Sequence, residues 1–253
     1  MIKPNQFKLS TQAALVVTLL LGASQSAFSH TRLEIPTVVE GIRASNNVVI
    51  GHACGEGTNV VASTSVFPDG VDSIIKVDGV EVTGSASDYV TNYGNLNQKI
   101  MNHSVFANED EKTDASANVV GFWVEGGKNP NHYATYVPFR STAGFIEPSS
   151  CASSVKVIIA VADICKVTAA SGFADTTVNL WTPAVGSNFD GPGLHGFNSP
   201  TSITYTRNLE TKTLPEGCSE TGSTVEIIPS AAQLNRDMPI IKKGKQFWPK
   251  VGH

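Results

Sequence analysis

From residue 48 to residue 228 the chain is a succession of short apolar or alternating runs separated by turn-forming residues. The runs lie at 48–50, 60–66, 73–82, 119–124, 133–139, 155–161, 176–181, 202–205 and 224–228. Several alternate in period two, as Val60, Ala62, Thr64 and Val66 do, which is the spacing of a strand with one buried face. Between them stand Pro68-Asp69-Gly70, Asp78-Gly79, Gly126-Gly127-Lys128-Asn129-Pro130 and Gly191-Pro192-Gly193, all turn-forming sequences. Beyond the first thirty residues no window holds a 3.6-residue apolar period for more than two turns, which argues against long amphipathic helices. The pattern predicts an all-β fold, an antiparallel two-sheet sandwich of the immunoglobulin or fibronectin kind. Residues 108–114 carry a run of acids and read as a solvated loop without the spacing of an EF-hand. The sandwich is expected over 30–187, with 188–253 a loop-rich C-terminal extension.

Composition narrows the function classes. The 253 residues are 41% hydrophobic and 16% charged, enough apolar content to exclude a disordered chain and to fill one large domain. A net charge of −4 excludes nucleic-acid binding through bulk positive charge. Near the start, Lys3 and Lys8 precede a mostly apolar run at 13–22 and a small-residue stretch at 23–29. This is the layout of a secretory signal over residues 1–29, and the run is shorter than the ~20 residues that span a bilayer. Cleavage is expected after Ser29, with Ser26 and Ser24 also at suitable offsets. The protein is therefore expected to be exported, to the periplasm or the cell surface. Cys54, Cys151, Cys165 and Cys218 form an even set, so two disulfides are expected, with three pairings open. Their spacings do not match a zinc motif. Four lysines between residues 242 and 250 form a basic tail, either a solvated terminus or a docking element for a membrane or another anionic outer surface.

Cleavage after Ser29 makes His30 residue one of the mature chain. Its free amine and its imidazole can then chelate one ion through two nitrogens, a donor pair suited to Cu(II). One such pair predicts about one copper ion per chain. Hydrolase and nucleotide-binding signatures are missing: the sequence has no G-x-S-x-G, H-E-x-x-H or Walker pattern.

The start His30-Thr31-Arg32-Leu33-Glu34-Ile35-Pro36, the stretch Gly51-His52-Ala53-Cys54-Gly55-Glu56-Gly57 and the later Asp163-Ile164-Cys165 resemble the YcnI-like copper-binding domain family. The resemblance covers roughly 30–183. It implies an exported β-sandwich that binds copper through its N-terminal His, an acidic residue and a Trp. Carried over by position, His30 supplies amine and imidazole and Glu56 the carboxylate. Trp181, in Val178-Asn179-Leu180-Trp181-Thr182-Pro183, is the shielding Trp. The resemblance also implies the pair Cys54–Cys165, leaving Cys151 and Cys218 as a second bridge. The acidic segment, the additional cysteines and the C-terminal extension depart from the family pattern.

His52, four residues before Glu56, is the best additional nitrogen ligand. His103, His132 and His195 stand in polar or Gly-rich loops and read as incidental, although His132 can approach the site from its loop. Trp123 reads as a core residue. The expected function is copper binding for acquisition, storage or trafficking. One alternative is a copper enzyme similar to lytic polysaccharide monooxygenases, needing a second His from His103 or His132. The other is a metal-free surface or structural protein.

Overall fold

The computed structural model describes residues 30–251, so the expected signal segment, residues 1–29, lies outside the described residues. Strand accounts for 42% of the chain and helix for 7%, as the short alternating runs require. In chain order the strands are β1 (Arg32–Leu33), β2 (Thr37–Val39), β3 (Ala44–Ile50), β4 (Asn59–Val66), β5 (Ile74–Val77), β6 (Val80–Val82), β7 (Asn97–Lys99) and β8 (Asn108–Thr113). There follow β9 (Val119–Pro130), β10 (Thr135–Ser141), β11 (Ala152–Ile164), β12 (Val178–Trp181), β13 (Thr201–Thr206) and β14 (Ser223–Ile228). One short helix, α1 (Ala231–Asp237), and the hairpin β15 (Ile240–Lys242) and β16 (Lys245–Trp248) close the described chain.

A four-stranded sheet, β1-β3-β10-β7, faces a ten-stranded sheet whose main path is β6-β5-β14-β11-β4-β9-β8. Most pairings are antiparallel; β11 with β14 and β13 with β2 are parallel. The C-terminal segment, loop-rich between its strands, contributes β13 and β14 to this larger sheet. At the centre is β11, which changes partners along its length. Its first part pairs with β13 and β14, and its last part, Ala160–Ile164, pairs with β4, while Val161–Ile164 also pairs with β12.

The sandwich interior takes one face of each strand. Val48, Ile50, Val137 and Phe139 from the smaller sheet meet Phe122, Val124, Val155, Val157, Ile159 and Val161 from the larger. Phe67, Phe122 and Phe139 form an aromatic triad with centroids 5.5–5.9 Å apart. The outer face of the large sheet is covered as well. There Ala160, Ala162, Ile164 and Leu180 pack under Leu234 and Met238 from the α1 region and Trp248 from the hairpin. Burial on both faces explains why residues 157–162 of β11 are continuously apolar instead of alternating.

Three local expectations are corrected. The acidic segment is strand β8, not a solvated loop: its backbone pairs with β9, and Glu109 takes the Lys99 ammonium at 2.6 Å. Gly126 to Pro130 extend β9 instead of ending it, with a register shift between Val60 and Ala62 absorbing the irregularity. The basic tail is only partly solvated. Trp248 is buried and stacks on Phe173 at 5.3 Å, and Lys242 pairs with the buried Glu125. Among the described residues no helix is long and apolar enough to cross a membrane.

Candidate metal centre

The site grows from the end of β11. Val155, Val157, Ile159 and Val161 point into the sandwich interior, and the next position in that phase is Asp163, fully buried. β4 and β12 flank it, with Ser63 and Asn179 as its register partners. Three neutral donors satisfy the carboxylate. Thr31 Oγ1 at 2.5 Å and Trp181 Nε1 at 2.8 Å donate to Oδ2, and Ser63 Oγ at 2.9 Å donates to Oδ1. Burial holds the Asp163 carboxyl above the usual carboxylate range; these three donors and the charge of nearby His52 offset only part of that rise.

Trp181 ends β12 and is buried against this carboxylate. Its ring meets two histidines nearly at right angles, His52 at 6.0 Å and His195 at 4.9 Å between centroids. The two imidazoles are 5.1 Å apart, and their Nε2 atoms face each other at 3.3 Å. His52 Nδ1 donates to the carbonyl of Ala53, so in the neutral ring Nε2 carries the lone pair. A ring locked in this way, through the nitrogen that does not bind, is the usual support for a metal-ligating histidine.

Separate parts of the fold hold the two rings. His52 follows β3 in a loop tied to the end of β11 by the Cys54–Cys165 disulfide, and Cys54 N–H donates to Cys165 Sγ at 3.0 Å. His195 sits in a loop laid along β12. Leu180 N–H donates to the His195 carbonyl at 2.9 Å, and His195 N–H donates to Asp175 Oδ1 at 2.8 Å. Gly196 makes this close approach possible. Its φ is +92°, and a Cβ there would stand 2.8 Å from the Leu180 carbonyl and from the Trp181 ring.

The structure thus brings together His52, Trp181 and the Cys54–Cys165 disulfide from the expected set. It adds His195 and Asp163. His195, read from the sequence as incidental, faces His52 across 3.3 Å. Asp163 carried a readable signal, an acid in phase with four apolar core positions of one strand. Glu56 lies exposed in the turn between Gly55 and Gly57, and its carboxylate takes no part in the hydrogen bonds just described. Trp181 commits its Nε1–H to Asp163 and serves as a wall beside the rings. His103 Nε2 stands 3.6 Å from Glu109, and His132 is exposed after β9. His30 is exposed, and the main compact unit begins at Thr31. Trp123 is buried, as expected of a core residue.

Among the described residues no group of three or more His, Cys, Asp or Glu is gathered to hold a metal ion. The His52–His195 pair nonetheless fits one as two of its donors. Two nitrogens each about 2.0–2.1 Å from a tetrahedral ion stand about 3.3 Å apart, as these do, whereas adjacent donors on a tetragonal Cu(II) ion stand about 2.9 Å apart, so that ion would require the rings to draw closer. The other state that satisfies the pair is a single proton held between the two nitrogens. Both disulfides are closed, Cys54–Cys165 and Cys151–Cys218, and they fit an oxidising, extracytoplasmic compartment. No family model matches the chain, and no curated protein matches it.

Proposed function

We propose that the protein is an exported copper-binding protein that acquires, stores or passes on copper outside the cytoplasm. The observation that carries this reading is the pair of facing Nε2 atoms of His52 and His195, one of them tautomer-locked, beside a buried Trp. Imidazole nitrogens suit copper, which stands at the top of the divalent affinity order for such donors. The proposed ligands at the pair are these two nitrogens, with Trp181 keeping solvent from one side of the rings. His30, whose amine is freed once a leader is removed after Ser29, and the Glu56 carboxylate are proposed as copper donors in their own right. Copper, when bound, supplies one-electron redox and ligand-exchange chemistry. The exposed Lys243, Lys245 and Lys250 are the proposed contact for an anionic membrane or outer-surface partner.

A second reading, a copper-dependent monooxygenase acting on polysaccharide, gains from the second imidazole that His195 supplies. The experiment begins with mass spectrometry of the secreted N-terminus, followed by Cu(II) titration of the mature protein, His30→Ala and the double variant His52→Ala/His195→Ala. Loss of affinity of tenfold or more in both variants is expected. Unchanged affinity in the double variant overturns the imidazole pair, and an N-terminus other than His30 removes the amine chelate. Copper-dependent oxidation of a polysaccharide selects the second reading. A protein that takes up no copper falls to the metal-free structural class.

A further inference from the structure

We infer that the outer face of the larger sheet carries a second binding site, for an aliphatic dipeptide with both ends free. There β6, β5, β14 and the first part of β11 floor a cavity of about 480 Å³, within the size range of small-molecule sites. Neither His52 nor His195 lines it, so the inference is independent of the copper reading. Strand register places four charged residues in one row across the floor: Glu81 opposite Lys76, Lys76 opposite Glu226, and Glu226 beside Lys156. One pair is closed, with Lys156 Nζ 2.9 Å from Glu226 Oε1. Lys76 and Glu81 enter no ion pair among the described residues, which leaves one cation and one anion side by side on the β5–β6 hairpin. The four charges sum to zero, so the floor exerts no net pull on a simple anion or cation. A ligand carrying both charges complements it. Directly opposite residues have Cβ atoms about 5 Å apart, and the ends of a dipeptide stand up to about 7 Å apart, so these two long side chains reach both.

Beside the charges runs an aliphatic row. Ile74, Ile228 and Ile158 stand two positions along their strands from Lys76, Glu226 and Lys156, and so share that face. With strands about 4.8 Å apart the row is about 10 Å long, room for two aliphatic side chains. Ile158 and Ile228 are buried and form the bottom of the cavity, and Val185 and Pro200, between β12 and β13, wall it. Lys76 takes the peptide carboxylate, Glu81 its ammonium, and the isoleucines its side chains.

The test is isothermal titration calorimetry of the protein with leucyl-leucine, N-acetyl-leucyl-leucine, leucyl-leucinamide and glycyl-glycine. Leucyl-leucine is expected to bind once per chain with a Kd of about 1 mM or tighter. Acetylation removes the cationic end, amidation removes the anionic end, and glycyl-glycine lacks the aliphatic body. Each of the three is expected to bind tenfold more weakly or worse. Lys76→Met and Glu81→Gln change only side chains on a solvent-facing hairpin, and each should weaken leucyl-leucine tenfold or more, with folding checked by thermal melting. No saturable heat from leucyl-leucine overturns the site. Equal affinity for the two capped peptides overturns the recognition of both ends, and full affinity in both folded variants overturns its location.

Discussion

Removing the Cys54–Cys165 disulfide should cost stability and copper affinity together, and the comparison with the other disulfide separates the two effects. The bond joins residues 111 positions apart, whereas Cys151–Cys218 joins residues 67 apart. In the chain-entropy treatment these spans correspond to about 4.8 and about 4.4 kcal/mol at 25 °C, which are upper values because denatured chains retain structure. The double variants Cys54→Ala/Cys165→Ala and Cys151→Ala/Cys218→Ala should therefore lose similar stability. For a domain of this size the loss corresponds to a fall in Tm of about 10–20 °C. Their copper affinities should diverge. Only the first bond ties the His52 loop to the end of β11, and the second joins the start of β11 to the segment ahead of β14. Urea unfolding and Cu(II) titration of both variants are the assays. A stability loss under about 1 kcal/mol in the first variant refutes the entropic argument. Equal copper affinity in the two variants refutes the claim that this bond positions His52.

Other outcomes follow from single contacts. Gly196→Ala places a Cβ against the Leu180 carbonyl and the Trp181 ring at a φ of +92°, so the His195 loop should lift. A stability loss of about 1–3 kcal/mol with weakened copper uptake is expected by thermal melting and titration. Trp181→Phe leaves Asp163 Oδ2 with one donor fewer and should cost about 1–3 kcal/mol in urea unfolding. Lys112 is held by burial at a pKa of about 7, partly offset by the charge of Asp237, and its Nζ donates to the Pro239 carbonyl at 2.6 Å. Between pH 7 and the ordinary lysine range the folded state binds fewer protons than the unfolded state, so this group makes stability rise with pH over that window. Lys112→Met should flatten the rise, measured by urea unfolding from pH 6.5 to 10. A slope unchanged in the variant counts against the burial of this amine.

The fold was largely legible because a half-buried strand repeats every two residues. The runs at 48–50, 60–66, 155–161 and 224–228 lie inside β3, β4, β11 and β14. β8 escaped that signal because it is an edge strand whose acids face solvent or Lys99, so its order comes from backbone pairing with β9 and not from apolar alternation. The site was legible in part. His52 stood out through its position four residues before Glu56, and Trp181 through the family resemblance alone. His195 was hidden because its partner lies 143 positions away, and the two meet only after a glycine lets one loop settle on β12. No local pattern encodes that closure.

The four-partner strand at the centre of the molecule carries a consequence for how such a protein can change. β11 acts as a rail clamped along its whole length by the larger sheet, and its last residues present Asp163 and lead into Cys165. A slip of one position would swap Asp163 and Ile164 between the two layers and dismantle both hydrophobic interiors at once. The Asp163 carboxyl is therefore as immovable as the centre of the fold. Diversification beside it has to come from the two loops that carry the histidines.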